Sequence, residues 1–147
     1  MRTIFSISGV VVTVAGCVLM KNAVIPSGLG VIDGKLAPVP GYSSAVSSQT
    51  DDDKKRVEPL PFKNDLEETR QSILQALDRF ERIELRKVDG PYIHALSRNG
   101  LFGCRDDIEF YLDETERLVH FRSVPRLYAI AQQSGRDRYE QIVALYK

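Results

Sequence analysis

Four strand-like runs joined by short connections fill much of the second half of this chain, and they constrain its fold more than any other feature. "IELRKV" (83–88) ends at Asp89-Gly90-Pro91, and "YIHALS" (92–97) ends at Arg98-Asn99-Gly100. "DDIEFYL" (106–112) ends at the polar stretch Asp113 to Glu116, and "LVHFRSV" (118–124) ends at Pro125. Turn formers bounding β-branched and aromatic runs predict strands, and connections this short predict antiparallel neighbours. Helical periodicity flanks the runs. Leu66, Ile73, Leu77 and Phe80 share one stripe, behind an expected cap at Asn64 with Glu67 reaching back. Tyr139, Ile142, Val143 and Tyr146 share another, behind Ser134 with Asp137 at the third position after it. The order α-β-β-β-β-α predicts an α+β domain in two layers, an antiparallel four-stranded sheet with two helices on one face. A chain of 147 residues suffices for one such domain and is too short for two of ordinary size.

The amino-terminal part reads differently. Arg2 precedes an uncharged apolar run from Ile4 to Ala15, too short to cross about 30 Å of hydrocarbon and suited to the apolar region of a signal peptide. At its end Val14-Ala15-Gly16-Cys17 resembles a bacterial lipobox. There, small residues fit a narrow peptidase cleft and the thiol is the atom that takes the lipid. The other reading is an uncleaved anchor helix in which Cys17 is merely small and apolar. The stretch from Asn22 to Asp53 is rich in Gly, Pro and Ser and has neither the helical nor the strand period. The expected organisation is a lipoprotein-type signal peptide over 1–16, a tether and extended lead-in over 17–53, and one domain over 54–147. "DDDKKR" (51–56) reads as a solvated surface segment. "VEPLPF" (57–62) is held extended by its prolines and can only be an edge strand.

Lys plus Arg and Asp plus Glu both number 20, so no broad basic face suggests nucleic acid. Two cysteines exclude a disulfide framework, and the lack of a CxxC or Cys/His cluster argues against structural zinc. With Cys17 acylated, Cys104 is a leftover thiol. It reads as buried and inert, or else as a reactive thiol. Tyr128, Tyr139 and Tyr146 read as core and rim.

"GLGVIDGKLAPVP", "VSSQ" (46–49), "VEPLPF", "YIHA", "DDIEFYLD" and "VHFRS" together resemble the bacterial family called domain of unknown function 1499, from about Gly30 to the carboxyl end. The resemblance implies a secreted protein or lipoprotein and brings no assigned activity or catalytic residues. Two cysteines of the family's usual lead-in are Val39 and Ala45 here, so a bridge or metal clip there is absent. The family's aspartate and asparagine downstream of "VHFRS" are Ala131 and Gly135, while Arg122, Ser123, Arg126, Arg136, Arg138 and Glu140 remain.

Alternation places Tyr92, His94 and Leu96 on one face of their strand, Asp107, Glu109 and Tyr111 on one face of theirs, and Leu118, His120 and Arg122 likewise. If these faces coincide, His94, His120 and Asp107 or Glu109 can converge as a zinc or iron site or as an acid/base pair. The densest charged constellation is Asp106, Asp107 and Glu109 beside Arg122 and Arg126. It reads as an ion network fixing strand register, or as an arginine pocket for an anionic group. No nucleophile or oxyanion feature accompanies it. The expectation is therefore a non-enzymatic envelope lipoprotein on the periplasmic side, without cofactor. Its partners would be the membrane, through the lipid, and an envelope protein or amphipathic ligand. The alternative is a periplasmic hydrolase using His94, His120 and Asp107 or Glu109.

Overall fold

The computed structural model describes residues 20, 22–41, 44–99, 103–127 and 135–147. Cys17, Tyr128, Ala131 and Ser134 lie outside the described residues. The four expected strands form, each slightly longer than its apolar run: β5 (Ile83–Asp89), β6 (Tyr92–Asn99), β7 (Cys104–Asp113) and β8 (Leu118–Pro125). They pair in sequence order and antiparallel, as the short connections require. Gly90 takes a positive φ of 54° between β5 and β6, a backbone region open to glycine at no side-chain cost.

The four-stranded, two-layer architecture is nevertheless corrected. The sheet has six strands, because two more pieces, β3 (Val46–Ser47) and β4 (Leu60–Pro61), share the outer edge of β8. Val46 pairs with Ser123, and Leu60 pairs with Val119. A further two-stranded sheet joins β1 (Val31–Ile32) to β2 (Lys35–Leu36). The physical reason is the free edge. An unpaired β8 would leave a row of backbone donors and acceptors open, and short extended pieces from the lead-in and from "VEPLPF" fill it. Strands of two residues carry no readable period, so only the edge strand in "VEPLPF" was legible.

Helix α1 (Leu66–Arg79) is capped by Asp65, whose carboxylate accepts from Glu68 N at 2.8 Å. The cap is one residue later than the expected Asn64, whose side-chain amide instead donates to Glu68 Oε2. α1 buries Thr69, Ile73, Ala76 and Leu77. Helix α2 (Gly135–Leu145) buries Arg138 and Ile142, while Val143 of the expected stripe is exposed. Both helices pack on the sheet face that carries Ile93, Ala95, Ile108, Phe110, Leu112, Val119 and Phe121. Phe110 and Phe121 meet edge-on with centroids 5.4 Å apart, the preferred geometry of aromatic pairs.

The opposite face is covered too. The lead-in from Asn22 to Pro38 runs across it and is bonded to side chains of β7, of β8 and of Arg126 just after β8. The polar face is thus half-enclosed beneath chain that the sequence suggested to be a tether.

Candidate functional site

Register brings the expected polar faces together. His94 lies opposite Glu109, Glu109 opposite Arg122, and Tyr111 opposite both Tyr92 and His120. Successive side chains alternate across a sheet, so Tyr92, His94, Asp107, Glu109, Tyr111, His120 and Arg122 all project to the side away from the helices.

Within this face each carboxylate has its own guanidinium. Arg126 clamps Asp107 with two bonds, Nε to Oδ2 at 2.8 Å and Nη2 to Oδ1 at 2.9 Å. His94 Nε2 meets the same Oδ1 at 2.9 Å. Arg122 Nη1 donates to Glu109 Oε2, and Tyr92 donates its hydroxyl to Glu109 Oε1 at 2.7 Å. Asp107 is 1% exposed and Glu109 is wholly buried. A carboxylate so deep is stable only when paired and hydrogen-bonded. Burial alone would raise the Asp107 carboxyl, but Arg126 and His94 outweigh it and hold the group below the usual carboxylate range. Burial, followed by the hydrogen bond to Glu109, pushes the Tyr92 phenol up.

The lead-in completes the same network. Gly30 N donates to Glu109 Oε1 at 2.8 Å. Arg122 Nη2 reaches Pro38 O, and Arg126 Nη1 reaches the carbonyls of Asn22 and Ala23. Asn22 in turn accepts from Arg105 N and donates to Gly103 O. In "VSSQ", Ser48 Oγ accepts from Phe121 N, and Gln49 bonds both Leu36 N and Gly34 O, tying down the β1–β2 hairpin. Ion pairs and backbone bonds together moor this segment to the sheet.

Asp106 does not join this group. It sits one residue from Asp107 and so projects to the helix side, where Arg138 of α2 donates to it at 2.5 Å and to Ser123 Oγ at 2.9 Å. Arg138 has no exposed surface. Burial pulls its guanidinium below the ordinary arginine value, against the nearby Asp106. Simple parity along the strand separates the two aspartates. Arg138 had no such signal, because only the tertiary fold brings α2 over β7. Nearby, Gly135 N donates to Ser44 O, and a Cβ at that position would lie 2.5 Å from the same oxygen. The glycine lets the helix start press against the chain leading into β3.

The histidines do not converge. His120 Nδ1 lies 3.3 Å from Ser48 Oγ, its ring stacks on Tyr111, and its Nε2 faces Glu116 at 3.6 Å. Among the described residues, the group with metal-ligand spacing is Asp113, Glu116 and His120, not His94, His120 and Asp107. Cys104 is buried, and burial followed by Asp106 pushes its thiol up, away from the reactive thiolate form.

Two clefts open where the lead-in meets the polar face. One, of about 630 Å³, is lined by Ile25, Leu29, Tyr92, His94 and Tyr111 among others. The other, of about 520 Å³, lies between Val24–Ser27 and the Asp107–Arg126 pair. Ile25 borders both and is 69% exposed.

A family profile described as protein of unknown function (DUF1499) matches residues 35–145. The chain belongs to this family. No curated protein and no solved structure matches it. The match covers β2 through α2, and so includes Glu109, Arg122, Asp107 and Arg126 but begins after Gly30. Among the described residues, no helix is long and apolar enough to cross a membrane.

Proposed function

We propose that this chain is a non-enzymatic binding module of the cell envelope, held at the membrane by lipid on Cys17, taking an amphipathic ligand in the clefts beneath its lead-in. The observation that carries this reading is the pair of clefts, apolar on the lead-in side at Val24, Ile25 and Leu29, polar on the sheet side at His94, Tyr92 and Arg126. Such a lining suits a molecule with one greasy and one polar side. The ionisable groups argue for binding rather than turnover. Asp107 is already bidentate to Arg126, so its pairing with His94 favours a fixed charge over proton exchange. Ser48, His120 and Glu116 stand in a row, but Ser48 Oγ is already an acceptor of Phe121 N and Glu116 lies beyond hydrogen-bond reach. The hydrolase reading therefore has less support.

The test is recovery of the full-length protein from membranes of cells grown with a fatty-acid analogue, followed by lipid extraction. Label should stay on the wild type and be absent from Cys17→Ser. A non-covalent amphiphile should co-purify with wild type and be depleted in Ile25→Asp, a change at an exposed position. Equal label on Cys17→Ser overturns the anchor. An eluate without amphiphile, or one unchanged by Ile25→Asp, overturns the ligand.

A further inference from the structure

The β7–β8 hairpin holds a group that the clefts do not use. One ring nitrogen of His120 and one carboxylate oxygen each from Asp113 and Glu116 lie within 4.8 Å of one another. We propose that this group binds a divalent transition-metal ion of the zinc or manganese kind, with His120 Nε2 and the two carboxylates as ligands and water completing the shell.

Three observations carry the proposal. First, His120 is 7% exposed, yet its Nε2 makes no hydrogen bond among the described residues. Glu116 Oε2 stands 3.6 Å from it, too far for a hydrogen bond and within the span of two ligands on one ion. Nε2 is not one of the buried atoms left without a partner, so this edge of an otherwise buried ring opens at the turn, where an ion can reach it. Second, the ring is held from behind. Ser48 Oγ sits 3.3 Å from Nδ1, and Tyr111 stacks at 6.0 Å and 15°. When Nδ1–H donates to that oxygen, the lone pair is on Nε2 and points at the carboxylates. Metal-bound histidines are oriented in the same way by a partner on their other nitrogen. Third, the turn presents its acids already shaped. Asp113 Oδ1 accepts from Thr115 N at 2.8 Å and Glu116 N at 3.0 Å, which fixes the loop and leaves the other carboxylate oxygen for an ion.

The donor set selects the metal. Imidazole with carboxylates suits zinc or manganese, whereas magnesium and calcium prefer oxygen alone. Three protein ligands on a partly open turn leave room for water or an added anion. The chain has two histidines, and the other, His94, is bonded to Asp107, so adventitious imidazole binding has little to use.

The experiment is calorimetric titration of the full-length chain in detergent with Zn²⁺ and with Mg²⁺, alongside imidazole ¹⁵N spectra. One Zn²⁺ should bind per chain, with Mg²⁺ at least ~10-fold weaker. The signal of one histidine should move and the other stay. Glu116→Gln, on the exposed side of the turn, should weaken Zn²⁺ at least ~10-fold, and Ser48→Ala about 10-fold through the ring's orientation. Glu114→Gln, on the same turn but outside the group, should change nothing. Because Glu116 is exposed, its variant folds and keeps the test decisive where a His120 variant fails. Unchanged affinity in Glu116→Gln, equal binding of Mg²⁺, or no movement of a histidine signal overturns the proposal.

Discussion

Strand β7 carries two different solutions to burial on its two sides. Toward the helices it presents Ile108, Phe110 and Leu112, packed against α1 and α2, with Asp106–Arg138 at one end. Toward the lead-in it presents Asp107 and Glu109, as deeply buried but held by Arg126, Arg122, Tyr92 and His94. The apolar side is stabilised by area removed from water, which is strong but has no direction. The polar side gains less net energy, because desolvating the charges offsets most of their attraction. What it supplies is position. The lead-in has few buried apolar anchors, Leu36 being one, while Ile25 and Ile32 are exposed. Its place on the sheet is therefore set by bonds such as Gly30 N to Glu109 and Arg122 to Pro38 O.

The comparison breaks first on the apolar side. Phe110→Ala should destabilise the whole domain by about 3–5 kcal/mol through lost burial and a cavity, read as a lower urea midpoint with helix and sheet signals falling together. Arg122→Met should come next, at about 3 kcal/mol, the lower end of the range for breaking a buried pair. It should also expose residues 22–41 to protease before the domain melts, because Glu109 and Pro38 lose their shared donor. A midpoint within about 1 kcal/mol of wild type would place Arg122 in a ligand site rather than in the fold.

The two sides also differ in how much the sequence discloses. The apolar side was legible, because period-two runs bounded by turn formers identified β5 to β8 and helical stripes identified α1 and α2. The shared polar face followed from the same alternation, as His94, Glu109 and Arg122 show by standing in one row. Their individual partners did not follow. Arg126 makes the two-bond clamp on Asp107, Arg122 pairs with Glu109, and Asp106 belongs to Arg138 across the sheet. Such choices depend on where loops end and helices dock, which no local pattern encodes. The layer over the polar face was hidden for another reason. Val31–Ile32, Lys35–Leu36 and Val46–Ser47 are too short for a period, and Gly/Pro/Ser-rich composition reads as a tether whether or not a surface receives it.

Acid offers the mildest way to separate the two sides, since it draws on the titration of charged groups and leaves every apolar contact in place. The Asp107 carboxyl is held below its ordinary value despite burial, because Arg126 and His94 favour its charged form. The folded chain therefore takes up this proton less readily than the unfolded chain. The stabilisation is complete above the unfolded carboxyl's range, about pH 4, and is lost as pH falls through the lower folded value. Wild-type urea midpoints should thus decline on acidification below about pH 4, and residues 22–41 should become protease-sensitive over the same interval, since Arg126 also holds the carbonyls of Asn22 and Ala23. Asp107→Asn begins less stable at neutral pH but lacks this titration, so its decline should be shallower. Equal slopes for the two proteins would mean that the Asp107–Arg126 pair contributes nothing through its charge, and that the polar face is held by neutral hydrogen bonds alone.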